Sequence, residues 1–212
     1  MRPIIRLVAF LFVITLAALP GAARADALRI LALGDSLTAG YGLGPGEGFP
    51  ARLEAALRDR GYDVTVIDAG VSGDTASAAQ ARLEWSLGEG ADAAIVELGG
   101  NDALRGLPPE STKKALGQII EALQARDIPV LLAGMRAPPN LGPRYGETFD
   151  AIFPTLAKKY DILFYPFFLD GVAAEPDLNQ ADGIHPTAEG IEIIVQRIIP
   201  SVEALLDRAK SR

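Results

Sequence analysis

The chain has no cysteine and only one histidine in 212 residues. Without cysteine there are no disulfides, no thiolate nucleophile, no cysteine-built metal site and no lipidation point behind a processed leader. One histidine is too few for the multi-histidine metal centres of most metallohydrolases. Basic clusters are missing as well: 20 Lys and Arg stand against 27 Asp and Glu, a formal charge of −7. That balance counts against nucleic acid and anionic membrane surfaces as partners. The longest apolar run, Leu7 to Leu19, is about 13 residues, short of the roughly 20 that cross a membrane. What remains is an ordinary globular composition, 49% hydrophobic and 22% charged, long enough for one domain with a sizeable core.

The first residues form a segment of their own. Arg2 and Arg6 precede the apolar run, Pro20-Gly21 breaks it, and Ala23-Arg24-Ala25 supplies a small-x-small cleavage pattern. This is the layout of a secretory signal peptide, residues 1–25, ahead of a single domain at 26–212. Its removal takes three arginines and no acid, moving the formal charge to −10. The expected location is periplasmic or secreted, and the expected state is a monomer with no stable membrane anchor.

From Leu28 onward short apolar runs alternate with amphipathic segments. Leu28–Leu33, Val64–Asp68, Ala93–Leu98, Pro129–Ala133 and Ile162–Tyr165 read as strands; Phe49–Arg60, Thr75–Leu87, Pro109–Ala125, Thr148–Tyr160 and Thr187–Arg208 read as helices. The alternation predicts an α/β protein, a three-layer α/β/α sandwich around about five parallel strands. Trp85 is expected on the apolar face of its helix, in the core. Open parallel sheets bind ligands beyond the carboxyl ends of their strands, so the loops after the strands are the place to look.

Those loops hold the chemistry-bearing residues. The first carries Gly34-Asp35-Ser36 and the second Gly73; the third has Gly99-Gly100-Asn101-Asp102 and the last Asp182-Gly183-Ile184-His185. A serine hydroxyl needs a base to take its proton as it attacks, and His185 is the one imidazole in the chain. The base needs an acceptor for its other nitrogen, and Asp182 stands three residues away. An oxyanion formed on attack needs donors: the Ser36 N–H, the Gly73 N–H and the Asn101 side-chain amide are candidates. Met135, Arg136, Ala137 and Pro138, with Tyr41–Leu43, are candidates for an apolar groove leading to Ser36. Asp35 is expected to hold the turn through hydrogen bonds.

Structural alternatives exist for each residue. Ser36 could be a helix N-cap, Gly73 a plain turn glycine, Asn101 a cap, and Asp182 and His185 ordinary turn residues. At the level of function, the Gly-Asp and Gly-Asn-Asp strings also fit a metal-dependent phosphoesterase, and the first loop fits a non-catalytic periplasmic protein binding an anion. Ser111-Thr112-Lys113-Lys114 matches S-x-x-K of penicillin-binding enzymes, but no S-D-N or K-T-G accompanies it, and it opens an amphipathic helix. Gly-x-Ser-x-Gly is absent, which removes the α/β-hydrolase nucleophile elbow.

Taken together, "GDSL" at 34–37, the Gly73 block, Gly-x-Asn-Asp at 99–102 and Asp-x-x-His at 182–185 resemble the four blocks of the SGNH (GDSL-type) hydrolases, in order and at similar spacing. The strings "VSGDT", "ELGGNDALRGLPPE", "RAPPNLGPRYGETF" and "QADGIHPTAEG" are similar to that family's bacterial periplasmic group of thioesterases, proteases, lysophospholipases and arylesterases. The resemblance implies a flavodoxin-like fold and a serine esterase acting on small acyl esters or thioesters through an acyl-enzyme. It implies Ser36 as nucleophile, His185 as base and Asp182 as its partner, with Ser36, Gly73 and Asn101 as the oxyanion hole. It implies no metal and no organic cofactor.

Overall fold

The computed structural model describes residues 27–88 and 90–212; the expected signal peptide lies outside them. Five strands, β1 (Leu28–Gly34), β2 (Val64–Gly70), β3 (Ala93–Glu97), β4 (Val130–Ala133) and β5 (Leu163–Tyr165), form one parallel sheet in the order β2-β1-β3-β4-β5. This is the flavodoxin-like order, whose switch point lies between β1 and β3. Ile30 pairs with Ala93 and Gly34 with Glu97 across that switch. Every residue of β3 and β4 is buried, whereas the edge strand β2 alternates between buried and exposed positions, as its place in the sheet requires.

Helices α2 (Phe49–Asp59) and α9 (Ala188–Lys210) pack against each other on one face of the sheet. Helices α3 (Ala76–Ala81), α6 (Pro109–Gln124) and α8 (Ile152–Tyr160) form the layer on the other. In α6 the residues Leu116, Ile119, Ile120 and Leu123 are fully buried. Their i, i+3, i+4, i+7 spacing turns one stripe inward, and each such side chain contributes about 1.5–3 kcal/mol by leaving water. Lys114 is exposed and Lys113 pairs with Glu110, so the S-x-x-K tetrapeptide only begins a helix. No helix among the described residues is long and apolar enough to cross a membrane.

Several boundaries differ from the sequence pattern. Two short helices, α1 (Ser36–Ala39) and α5 (Gly100–Leu104), follow β1 and β3 directly. The helix expected at 75–87 breaks at Arg82 into α3 and α4 (Leu83–Leu87). Trp85 is 79% exposed, not in the core: Leu83, Ser86 and Leu87 take the inward face of α4 and leave Trp85 on the opposite one. The helix expected at 148–160 is two, α7 (Pro143–Asp150) and α8, meeting at Ala151.

The end of β2 closely approaches the short helix that follows β1. A Cβ on Gly70 would lie 2.4 Å from the Ala39 nitrogen and 2.8 Å from its Cα, so glycine is what lets α1 settle on the end of β2. Gly70→Ala is therefore expected to lower stability by about 1–3 kcal/mol through overpacking. Urea unfolding checks this, and an unchanged midpoint would contradict the close approach.

Candidate active site

The site is assembled from the loops at the carboxyl edge of the sheet. Asp35, 1% exposed, is the N-cap of α1: its Oδ1 accepts the Leu37 N–H at 3.0 Å. Asp35, not Ser36, thus takes the capping role, and the Ser36 hydroxyl is left to meet another group. That group is His185. Its Nε2 lies 2.9 Å from Ser36 Oγ, and its Nδ1 lies 2.7 Å from Asp182 Oδ2. With Nδ1–H donating to the carboxylate, Nε2 is the acceptor for the serine hydroxyl.

The loop carrying His185 is held by its own residues. Asp182 Oδ1 accepts the N–H groups of Ile184 (2.9 Å) and His185 (3.0 Å). The bond from the His185 ring and these two backbone bonds pull the Asp182 carboxyl down to about 2. The Gln180 N–H donates to the His185 carbonyl at 2.7 Å, and Gln180 Nε2 donates to the carbonyls of Tyr41 (2.7 Å) and Pro186 (3.0 Å). Gln180 thus ties the histidine loop to the serine loop, 139 residues apart. Nothing in its sequence context announces that role.

Gly73 sits in a tight turn after β2. The Asp74 N–H donates to the Val71 carbonyl at 3.1 Å, and Gly73, third of the four, has φ +87°. A turn with positive φ at that position favours glycine. Asn101 lies in the first turn of α5 without capping it, its Nδ2 donating to Asp35 Oδ2 at 3.0 Å. One of the two amide hydrogens is engaged in this way and the other remains available.

The loop aspartates that could suggest a metal site serve as hydrogen-bond acceptors. Asp102, buried, accepts the Ala76 N–H and the Thr112 hydroxyl, each at 2.9 Å, bolting the start of α3 to α6. Asp74 is paired with Arg82, and Asp35 is occupied as described. Beneath them Glu97 is fully buried, its Oε2 accepting the Thr38 hydroxyl at 2.8 Å. Burial, then the Asp35 charge, push the Glu97 carboxyl up. Burial outweighs hydrogen bonds from Leu37 and Asn101 at Asp35 and raises it to about 6.

A cavity of about 580 Å³ opens over Ser36. Met135, Arg136, Ala137 and Pro138 line it, together with Tyr41, Leu104, Phe167, Leu169 and Ile184, a mainly apolar wall. Arg136 lies 4.6 Å above the Phe167 ring, and Tyr41 packs 4.6 Å from the His185 ring. Leu43 does not line this cavity. The turn closed by the Leu43 N–H on the Gly40 carbonyl carries it away, into the core packing beside α2.

Residues 32–193 match the model of the GDSL-like lipase/acylhydrolase family. The chain belongs to this family. It is a serine ester hydrolase. The hydrolase is 39% identical to esterase TesA of Pseudomonas aeruginosa over 86% of its own length and 92% of that protein. It is equally identical to thioesterase 1/protease 1/lysophospholipase L1 of Escherichia coli over 88% of both chains. Among solved structures, AlinE4, an SGNH-hydrolase family esterase, superposes with a TM-score of 0.73 at 51% identity, covering 87% of this chain and 99% of that one. The metal-phosphoesterase and binding-protein alternatives find no support in these relatives.

The buried Asp35 makes the hydrolase's stability depend on pH in a definite direction. Its folded pKa of about 6 exceeds the ordinary 3.8, so the folded state holds this proton more tightly than the unfolded chain. That contribution is present below about pH 4 and is lost as pH rises through 6. Asp35→Asn removes it. Urea midpoints at pH 4 to 7 are expected to move in the variant's favour, relative to wild type, by on the order of 2 kcal/mol as pH rises. A gap that stays constant with pH would contradict the burial argument.

Proposed function

We propose that Ser36 is the nucleophile of this esterase, that His185 is its general base and then general acid, and that Asp182 orients the imidazole. The observation that carries the assignment is the continuous chain from Ser36 Oγ through His185 to Asp182, at 2.9 and 2.7 Å. In acylation, Ser36 Oγ attacks the ester carbonyl as His185 Nε2 takes its proton. The imidazolium is stabilised by Asp182, which stays ionised, and returns the proton to the departing alcohol or thiol. Water, deprotonated by the same nitrogen, then attacks the acyl-serine and frees the acid and Ser36.

The negative charge on the carbonyl oxygen is met by the Ser36 N–H, the Gly73 N–H and the free hydrogen of Asn101 Nδ2. The Asn101 amide is aimed before substrate arrives, because Asp35 already holds its other hydrogen. A donor fixed in advance needs no reorganisation at the moment of reaction, which is where such groups have their effect. No step calls for a metal or an organic cofactor.

The substrates proposed are carboxylic esters and thioesters with an apolar acyl or aryl group, including acyl-CoA, aryl ester and lysophospholipid types. The apolar wall around Met135, Ala137 and Pro138 supports an apolar acyl group, Arg136 offers a cation at the mouth, and the names of the relatives span the same chemistry. The pattern of residues 1–25 supports export and cleavage after Ala25, with action in the periplasm or outside the cell.

Ser36→Ala and His185→Ala are each expected to lower kcat by about 10⁴–10⁶ with folding intact. Asn101→Ala is expected to cost about 10²–10³. Stopped assays on p-nitrophenyl esters and acyl-CoA thioesters of increasing chain length read both the chemistry and the acyl preference. Wild-type turnover in the Ser36 variant, or complete loss of wild-type activity with EDTA, would remove this assignment.

A further inference from the structure

Arg82 lies outside the four motif loops, yet its side chain bonds the backbone at the ends of two neighbouring strands. It sits where α3 breaks from α4, with its side chain 17% exposed. Nε donates to Asp74 Oδ2 at 2.6 Å, Nη1 to Ser86 Oγ at 2.8 Å, and Nη2 to the carbonyls of Gly34 (3.0 Å) and Ala69 (2.9 Å). One planar group therefore grips the last residue of β1, the end of β2 and the residue after Gly73.

These contacts bracket the two backbone donors proposed above. Gly34 stands two residues before the Ser36 N–H, and Asp74 directly follows Gly73. The Gly34 carbonyl also accepts the Val71 N–H at 3.1 Å, which hooks the near end of the Gly73 turn to β1. Arg82 hooks the far end through Asp74, largely screened from water, since the Asp74 side chain is only 14% exposed. Arg105, itself exposed, adds a 2.8 Å bond to the Gly73 carbonyl from the other side.

We propose that Arg82 is a positioning residue for ester hydrolysis: its guanidinium sets the separation between the Ser36 and Gly73 N–H groups, and so the fit of the oxyanion hole to the tetrahedral intermediate. The inference rests on the assignment of those donors. Arginine is required because four acceptors lie around one plane; lysine offers a point charge and cannot span them. Displacements of about 1 Å at a reacting group cost on the order of 10²-fold in rate, so a brace at this point acts on catalysis as well as on the fold. The acyl-lining residues 135–138 are not among its contacts, so substrate affinity should be spared.

The test compares Arg82→Lys, and the isosteric Asp74→Asn, with wild type on an oxo ester and the matching thiono ester. Rates are expressed per active site titrated with a fluorophosphonate, below the unfolding temperature. A well-fitted hole favours oxygen over the larger, weakly accepting sulfur. Arg82→Lys is expected to lower kcat for the oxo ester about 10–100-fold with KM changed less than about threefold. The oxo-to-thiono ratio of kcat/KM is expected to fall about tenfold, and Asp74→Asn to follow in the same direction more weakly. A merely structural role would lower the melting temperature or the titratable sites while leaving that ratio untouched. An unchanged ratio in both variants overturns the proposal, whereas turnover surviving Ser36→Ala would instead overturn the assignment beneath it.

Discussion

The carboxylate buried beside Ser36 is the interaction on which the rest of this site depends, because it does with Asp35 what a serine in that turn would otherwise do. Asp35 caps α1 through one oxygen and takes the Asn101 amide with the other. The first bond leaves Ser36 free to face His185, and the second joins the loop after β1 to the loop after β3, across the switch point of the sheet. Burying a carboxylate opposes ionisation, and the raised pKa of Asp35 records that opposition. Asp102 adds its charge to that opposition, and Asp35 in turn pushes up the buried carboxyl of Glu97 beneath it.

Around this pair the charged and polar residues have divided roles. Asp182, with three hydrogen bonds on its carboxylate, stays anionic and orients the one imidazole. Asp102 and Thr112 fasten α3 to α6, Gln180 fastens the histidine loop to Tyr41, and Arg82 gathers the ends of β1 and β2. Most of these groups never approach the cavity. They restrict loops that would otherwise move independently, and the reacting groups on those loops then need little rearrangement when substrate arrives.

The sheet, its flanking helices and the four loops at one edge were legible in the sequence because each rests on a local pattern. Continuous apolar runs mark buried parallel strands, and the lone histidine three residues after an aspartate marks itself. The break at Arg82 was not legible, because the hydrophobic period runs through it and a partner of its side chain, the Gly34 carbonyl, lies 48 residues away; the break at Ala151 is marked by Pro154, whose ring would clash with the Asp150 carbonyl in a continuous helix. Trp85 departs from the pattern because α4 is too short for a bulky apolar residue to claim the inward face already held by Leu83 and Leu87. Asp35 holds the turn, as its place in the loop suggests, but its bond to Asn101 joins positions 66 apart and no pattern within a loop reveals it. Arg82, Gln180 and Glu97 likewise bond partners far away in sequence.

In the proposed mechanism a single serine, freed by its neighbour and paired with a single histidine, carries the ester chemistry. Intact-mass measurement after treatment with an organophosphonate, followed by peptide mapping, tests it most directly. One adduct per chain is expected, on Ser36, formed in step with the loss of esterase activity. Full inactivation with Ser36 unmodified, or an adduct on another residue that accounts for the loss, would contradict it.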